Sequence, residues 1–154
     1  MGSIFPGGSP LHNIMRILAV DHGEKRIGLA ISDATATIAS PLKVIVHVSR
    51  AIDAAQVADL AAQNDVVLIV VGQSFDEKGN PNPAGRRAGR FADELKNQTD
   101  LTIELWDESF STQDARAARI ELGVSRKKRA GHQDAFAAVV ILQSYLESIR
   151  NPDP

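Results

Sequence analysis

Three short β-branched or apolar stretches, residues 17–20, 27–31 and 42–48, follow one another with only turn chemistry between them. The separators are Asp21-His22-Gly23 and Ser40-Pro41, and strands joined this closely form an antiparallel meander. The pattern then changes. Residues 51–63 read as a helix, 66–71 as a buried strand, 86–96 as a helix and 102–106 as a strand, which predicts a parallel part with crossover helices. Ser111 with Asp114 three residues on resembles a helix cap, and Ala115, Ala118 and Leu122 share a face until Gly123 ends that helix. From Asp134 the apolar positions Ala135, Ala138, Val139, Leu142, Leu146 and Ile149 recur at three and four, and Pro152 stops the pattern. The predicted class is α/β, a mixed five-stranded sheet in the order βββαβαβαα with helices on both faces.

At 154 residues and 44% apolar composition, the chain suits one domain with a core of its own. Residues 1–13, with Pro6, Gly7, Gly8, Ser9 and Pro10, carry no periodicity and read as a disordered tail or expression remnant; residues 14–150 form the expected domain. With no cysteine there are neither disulfides nor thiolate zinc sites, and no apolar run approaches a membrane span, so a cytoplasmic location is expected. The four histidines, His12, His22, His47 and His132, are too scattered for a zinc-protease pattern, which leaves carboxylates as the abundant hard ligands. Residues 73–85 hold Gly79, Pro81, Pro83 and Gly85 without apolar periodicity, a long connection of the kind often found beside a functional site.

Three acids stand at element ends. Asp21 follows a buried strand and precedes a glycine turn, so its carboxylate is expected at a strand's C-terminal edge. Asp107 and Glu108 follow the strand at 102–106; because strand side chains alternate, one of the two can enter a shared site while the other faces away or caps the next helix, and spacing alone leaves the choice open. Asp134 opens the last helix, where a carboxylate on its own offsets exposed N–H groups. Together the acids suit magnesium or manganese, which take oxygen ligands, and their mutual repulsion would raise one or more pKa values in the absence of a cation.

The stretch from Asp21-His22-Gly23-Glu24-Lys25-Arg26 to Ser32-Asp33, then Val70-Val71-Gly72, Trp106-Asp107-Glu108 with Ser111-Thr112, and Arg126-Lys127-Lys128-Arg129 before Asp134-Ala135 resemble the YqgF family, also called RuvX. The resemblance runs from about residue 15 to residue 147. It implies a ribonuclease H-like fold and a nuclease that matures the 5′ end of pre-16S ribosomal RNA, with Holliday-junction resolution in DNA recombination as the alternative. It places the family's catalytic and metal-binding acids on Asp21, Glu108 and Asp134, with Mg2+ or Mn2+ as cofactor and a two-metal hydrolysis of the phosphodiester. Two departures are present: Ser109 stands where the family usually has Arg, and Gln73-Ser74 where it has Leu-Pro.

A net charge of −2 argues against a protein that coats nucleic acid through overall charge. Local groups differ. Arg126, Lys127, Lys128 and Arg129 stand together, and Arg86 and Arg87 form a second group with Arg90; singly each reads as a solvated face. With the resemblance, Arg126 to Arg129, Arg86, Arg87 and, at the first turn, Lys25 and Arg26 become expected contacts to nucleic-acid phosphates. The expected partners are pre-16S rRNA or branched DNA and ribosomal particles, in a monomer or homodimer. Two further classes compete: a non-catalytic ribosome-assembly factor, and an ATP-binding actin-like protein using Asp21-His22-Gly23 as a phosphate turn.

Overall fold

The computed structural model describes residues 15–111 and 133–151, the side chains of 110, 111, 133 and 134 excepted. Strands β1 (Arg16–His22), β2 (Arg26–Ser32) and β3 (Ala39–Val46) make the meander. Helix α1 (Arg50–Gln63) leads to β4 (Val66–Gln73), and α2 (Pro83–Gln98) leads to β5 (Thr102–Asp107). A single 3-10 turn, Glu108–Ser111, follows β5, and helix α3 (Gln133–Arg150) comes last among the described residues. The spatial order is β3-β2-β1-β4-β5, with β1 antiparallel to β2, β2 antiparallel to β3, and β4 parallel to both β1 and β5.

Alternation along the strands divides the core in two. Leu18, Val20, Ile69 and Val71 meet Val57 of α1 and Phe91 and Leu95 of α2 on one face. Ile17, Ala19 and Val70 meet Ala138, Ile141, Leu142 and Leu146 of α3 on the other. Because β1 and β4 are covered on both sides they are almost continuously apolar, as central strands of a parallel sheet must be. Each fully buried Leu, Ile or Phe in these layers contributes about 1.5–3 kcal/mol over an exposed one.

The expected elements are present where residues are described, and their ends differ in instructive ways. Strand β3 begins at Ala39, so Ser40-Pro41 lies inside the ladder and is no turn. Pro41 is accommodated because β3 is an edge strand and the register shifts beside it, between Leu29 and Ala30 of the neighbour. Helix α2 begins at Pro83, inside the expected loop: Asn82 accepts from Gly85 N at 2.8 Å and proline fits the first helical position. Asp21 lies within β1, paired to Gly28, and the chain turns two residues later through Gly23, where a Cβ would stand 2.6 Å from the Arg26 carbonyl oxygen. The helix expected between Ser111 and Gly123 falls outside the described residues.

Candidate active site

Asp21 shares its face of β1 with Ile17 and Ala19, the face that α3 covers. The β1–β4 register runs to Val20 beside Val71, so Asp21 and Gly72 are the next residues of their strands, and Gly72 in turn pairs with Trp106 of β5. Trp106 also belongs to the α3 face; it packs edge-on against Tyr145 with ring centroids 5.3 Å apart and donates to Ser144 Oγ at 3.3 Å. Asp107, one step on, therefore faces away from that layer. Its Oδ1 accepts from Ser109 N at 2.8 Å and starts the 3-10 turn.

Glu108, two residues after Trp106 and first in that turn, lies over the α3 face. A Cβ on Gly72 would meet Glu108 Cγ at 3.1 Å, Glu108 Oε2 at 3.2 Å and Ile141 Cδ1 at 2.7 Å, so the carboxylate lies across a cradle that only glycine leaves open. Burial, and secondarily the neighbouring Asp107 charge, push the Glu108 carboxyl above its ordinary value. Of the two adjacent acids, Glu108 is thus the one in the Gly72 cradle and Asp107 is the cap. Sequence reasoning assigned Gly72 no role; its signal was a lone glycine ending an otherwise β-branched strand.

Asp134 is the second residue of α3, and its side chain lies outside those described. Among the described residues, no three His, Asp or Glu side chains group to hold a metal ion. Lys25 and Arg26 are exposed at the β1–β2 turn. Arg86 donates to the Pro81 carbonyl oxygen at 3.0 Å, whereas Arg87 points across the sheet edge toward Glu24, 3.8 Å away. Arg126 to Arg129 fall outside the described residues. The 73–85 connection is ordered by its own contacts: Phe75 bridges Pro81, and Asp76 Oδ1 accepts from Lys78 N and Asn80 N.

Residues 15–148 match the family described as "RuvX: Holliday junction resolvase". The chain belongs to the RuvX family. A Bacillus cytotoxicus member named "Putative pre-16S rRNA nuclease" is 42% identical over 136 residues, covering 87% of this chain and 99% of that protein. A Thermoanaerobacter pseudethanolicus member of the same name is 39% identical over 138 residues, covering 89% and 99%. Among solved structures, Thermus thermophilus RuvC in complex with a Holliday junction substrate aligns with a TM-score of 0.64 at 15% identity, over 88% of this RuvX chain and 95% of RuvC. The Fowlpox virus resolvase in complex with Holliday junction DNA gives 0.53 at 16% identity, over 88% and 99%. At such identities the likeness concerns the fold, which is ribonuclease H-like. Among the described residues of this RuvX chain, no helix is long and apolar enough to cross a membrane.

Proposed function

We propose that this chain, through one ribonuclease H-like domain spanning residues 14–150, hydrolyses phosphodiester bonds of nucleic acid and acts on pre-16S rRNA, as the names of its relatives suggest, at the 5′ end. The observation that carries the reading is Glu108 folded over Gly72, on the same face of the sheet as Asp21. Position 134 supports it, because it precedes Ile141 by two helical turns, and Ile141 reaches the same cradle.

Magnesium or manganese suits this donor set, since oxygen ligands alone are offered and the glycine cradle leaves Glu108 room on the sheet face that Asp21 shares. Asp21, Glu108 and Asp134 would hold the cations. When bound, a cation pair supplies activation of the attacking water and stabilisation of the departing oxygen. The chain's own contribution is positional. Asp107 fixes the turn that aims Glu108, Gly72 admits it, and the α3 layer beneath, with Trp106 and Tyr145, keeps the carboxylate edge rigid. Arg126 to Arg129, just upstream of Asp134, neutralise phosphates of the bound strand.

Labelled pre-16S rRNA, a four-way DNA junction and duplex controls incubated with the protein and Mg2+ or Mn2+ test this reading. Metal-dependent cleavage of the RNA, lost in Asp21→Asn and Glu108→Gln with binding retained, is expected. Cleavage of the junction in preference to the RNA would move the assignment to a resolvase. Unchanged cleavage in both variants would remove the acids from the mechanism.

A further inference from the structure

The opposite face of the sheet carries a second polar site near the same edge. Since Asp21 faces α3, its neighbour His22 faces α1 and α2, where its ring lies against Phe91 with centroids 4.7 Å apart. Beside it opens a cleft of about 440 Å3, whose lining includes His22, Glu24, His47, Arg50, Arg87 and Arg90. Three arginines from two helices therefore line one concavity at the end of β1.

The acids nearby offset its charge only in part. Asp53 is wholly buried and is engaged by its own partners: Oδ2 with the His47 ring at Nδ1, and Oδ1 with Val48 N at 3.0 Å. That contact at Nδ1 leaves the other ring nitrogen of His47 unengaged by Asp53. Glu24 is exposed and reaches only Arg87 Nη1, at the long distance of 3.8 Å. Two polar atoms beside the cleft, His22 Nδ1 and Arg87 Nε, are buried without a hydrogen-bond partner. Buried donors and acceptors are ordinarily satisfied, so these two atoms leave the wall of the cleft incompletely bonded, and the ring and guanidinium that carry them must shift to gain a partner.

We propose that this cleft is a binding site for a phosphate group, held by Arg87, Arg90 and Arg50 with His22 and His47 as additional hydrogen-bonding groups, separate from the carboxylate face. Phosphate matches the cleft because its several oxygens accept from more than one guanidinium fork at once, a geometry that a carboxylate offers less fully and a spherical halide does not match. A nucleic-acid strand end and a free phosphate or mononucleotide offer the same group, and both fit the volume.

The test is done without divalent metal, so that its outcome does not depend on Asp21 or Glu108. Inorganic phosphate, a nucleoside monophosphate, and an oligoribonucleotide with a 5′-phosphate or a 5′-hydroxyl are titrated at constant ionic strength, read by calorimetry and by the His22 and His47 ring resonances. Phosphate is expected to shift both rings, and Arg87→Ala and Arg90→Ala are each expected to weaken binding about tenfold. Lys96→Ala, in the last turn of α2 and paired with Asp93, should leave binding unchanged. Tighter binding of the 5′-phosphorylated strand than of its hydroxyl counterpart assigns the site to a strand end, and equal affinity for phosphate and strand assigns it to a free phosphate. Chemical-shift dispersion verifies that each variant is folded. Absence of ring shifts in the parent protein, or identical affinity in folded Arg87→Ala and Arg90→Ala, overturns the proposal.

Discussion

Glu108 Oε2 lies 3.2 Å from where a side chain on Gly72 would begin, so the backbone of β4 forms the floor on which the carboxylate rests. Gly72→Ala should therefore disturb the site more than the fold. The Ile141 methyl, 2.7 Å from the added carbon, can rotate away at an overpacking cost of about 1–3 kcal/mol. Glu108 must move as well, and a displacement of this size in a catalytic group lowers rates by about a hundredfold. Single-turnover cleavage beside thermal melting checks the split; full cleavage in a folded Gly72→Ala protein would detach Glu108 from catalysis.

Glu108 also links function to stability. Its carboxyl is raised above 4.5 by burial and then by Asp107, so the folded protein favours the protonated form. A raised value means that the stabilisation is complete below the unfolded carboxyl pKa and is lost as pH rises through the folded one. Ionisation of the group therefore costs the metal-free fold stability. Glu108→Gln is expected to melt higher than the parent at pH 7 without metal, with the difference closing below about pH 4. Cleavage should be lost in the same variant, and added Mg2+ should stabilise the parent more than the variant. A lower melting temperature for Glu108→Gln at pH 7 contradicts this account.

The alternation of strands explains much of what the sequence disclosed about this site, and also where it stopped. Asp21 was legible as an edge carboxylate because a buried β-branched run and a glycine bracket it. Asp107 and Glu108 were not separable by spacing. The outcome depends on which face Trp106 takes: it packs in the α3 layer beside Gly72, so alternation carries Glu108 to that side and leaves Asp107 to cap the 3-10 turn by accepting from Ser109 N. Pro41 misled because a proline signals a turn unless the strand is an edge strand, and edge position is a property of the whole sheet. The arginine cleft was least visible. His22 and His47 look scattered along the chain, and only the β1–β2–β3 pairing, with His47 N donating to the Lys25 carbonyl oxygen, brings them to one end of the sheet.

Asp53 is the structural support beneath that cleft. Wholly buried in the first turn of α1, it accepts from Val48 N and bonds the His47 ring, joining the end of β3 to the helix. Asp53→Ala strands both partners and is expected to cost about 3 kcal/mol. Asp53→Asn keeps one acceptor for Val48 N and should recover part of the loss. Urea denaturation of the two variants measures the difference, and equal losses would show that the charge rather than the acceptor geometry matters.

Tyr145 sets the alkaline limit of the α3 layer. Burial, together with its hydrogen bond to Glu104 Oε1 at 3.0 Å and the charge on that acid, pushes the phenol up to about 12. An unfolded tyrosine ionises near 10, so between about pH 10 and pH 12 the unfolded chain loses a proton that the native one keeps. Stability contributed by the neutral phenol is full below that window and declines across it as pH rises. Tyr145→Phe should cost about 1 kcal/mol at pH 7 through the lost hydrogen bond, leaving the edge contact with Trp106 in place. Above pH 10 the parent should lose stability faster than the variant, and the two curves should converge toward pH 12. Denaturation midpoints across pH 8–12 test it, and parallel curves would mean that Tyr145 ionises in the native protein as readily as in the unfolded chain.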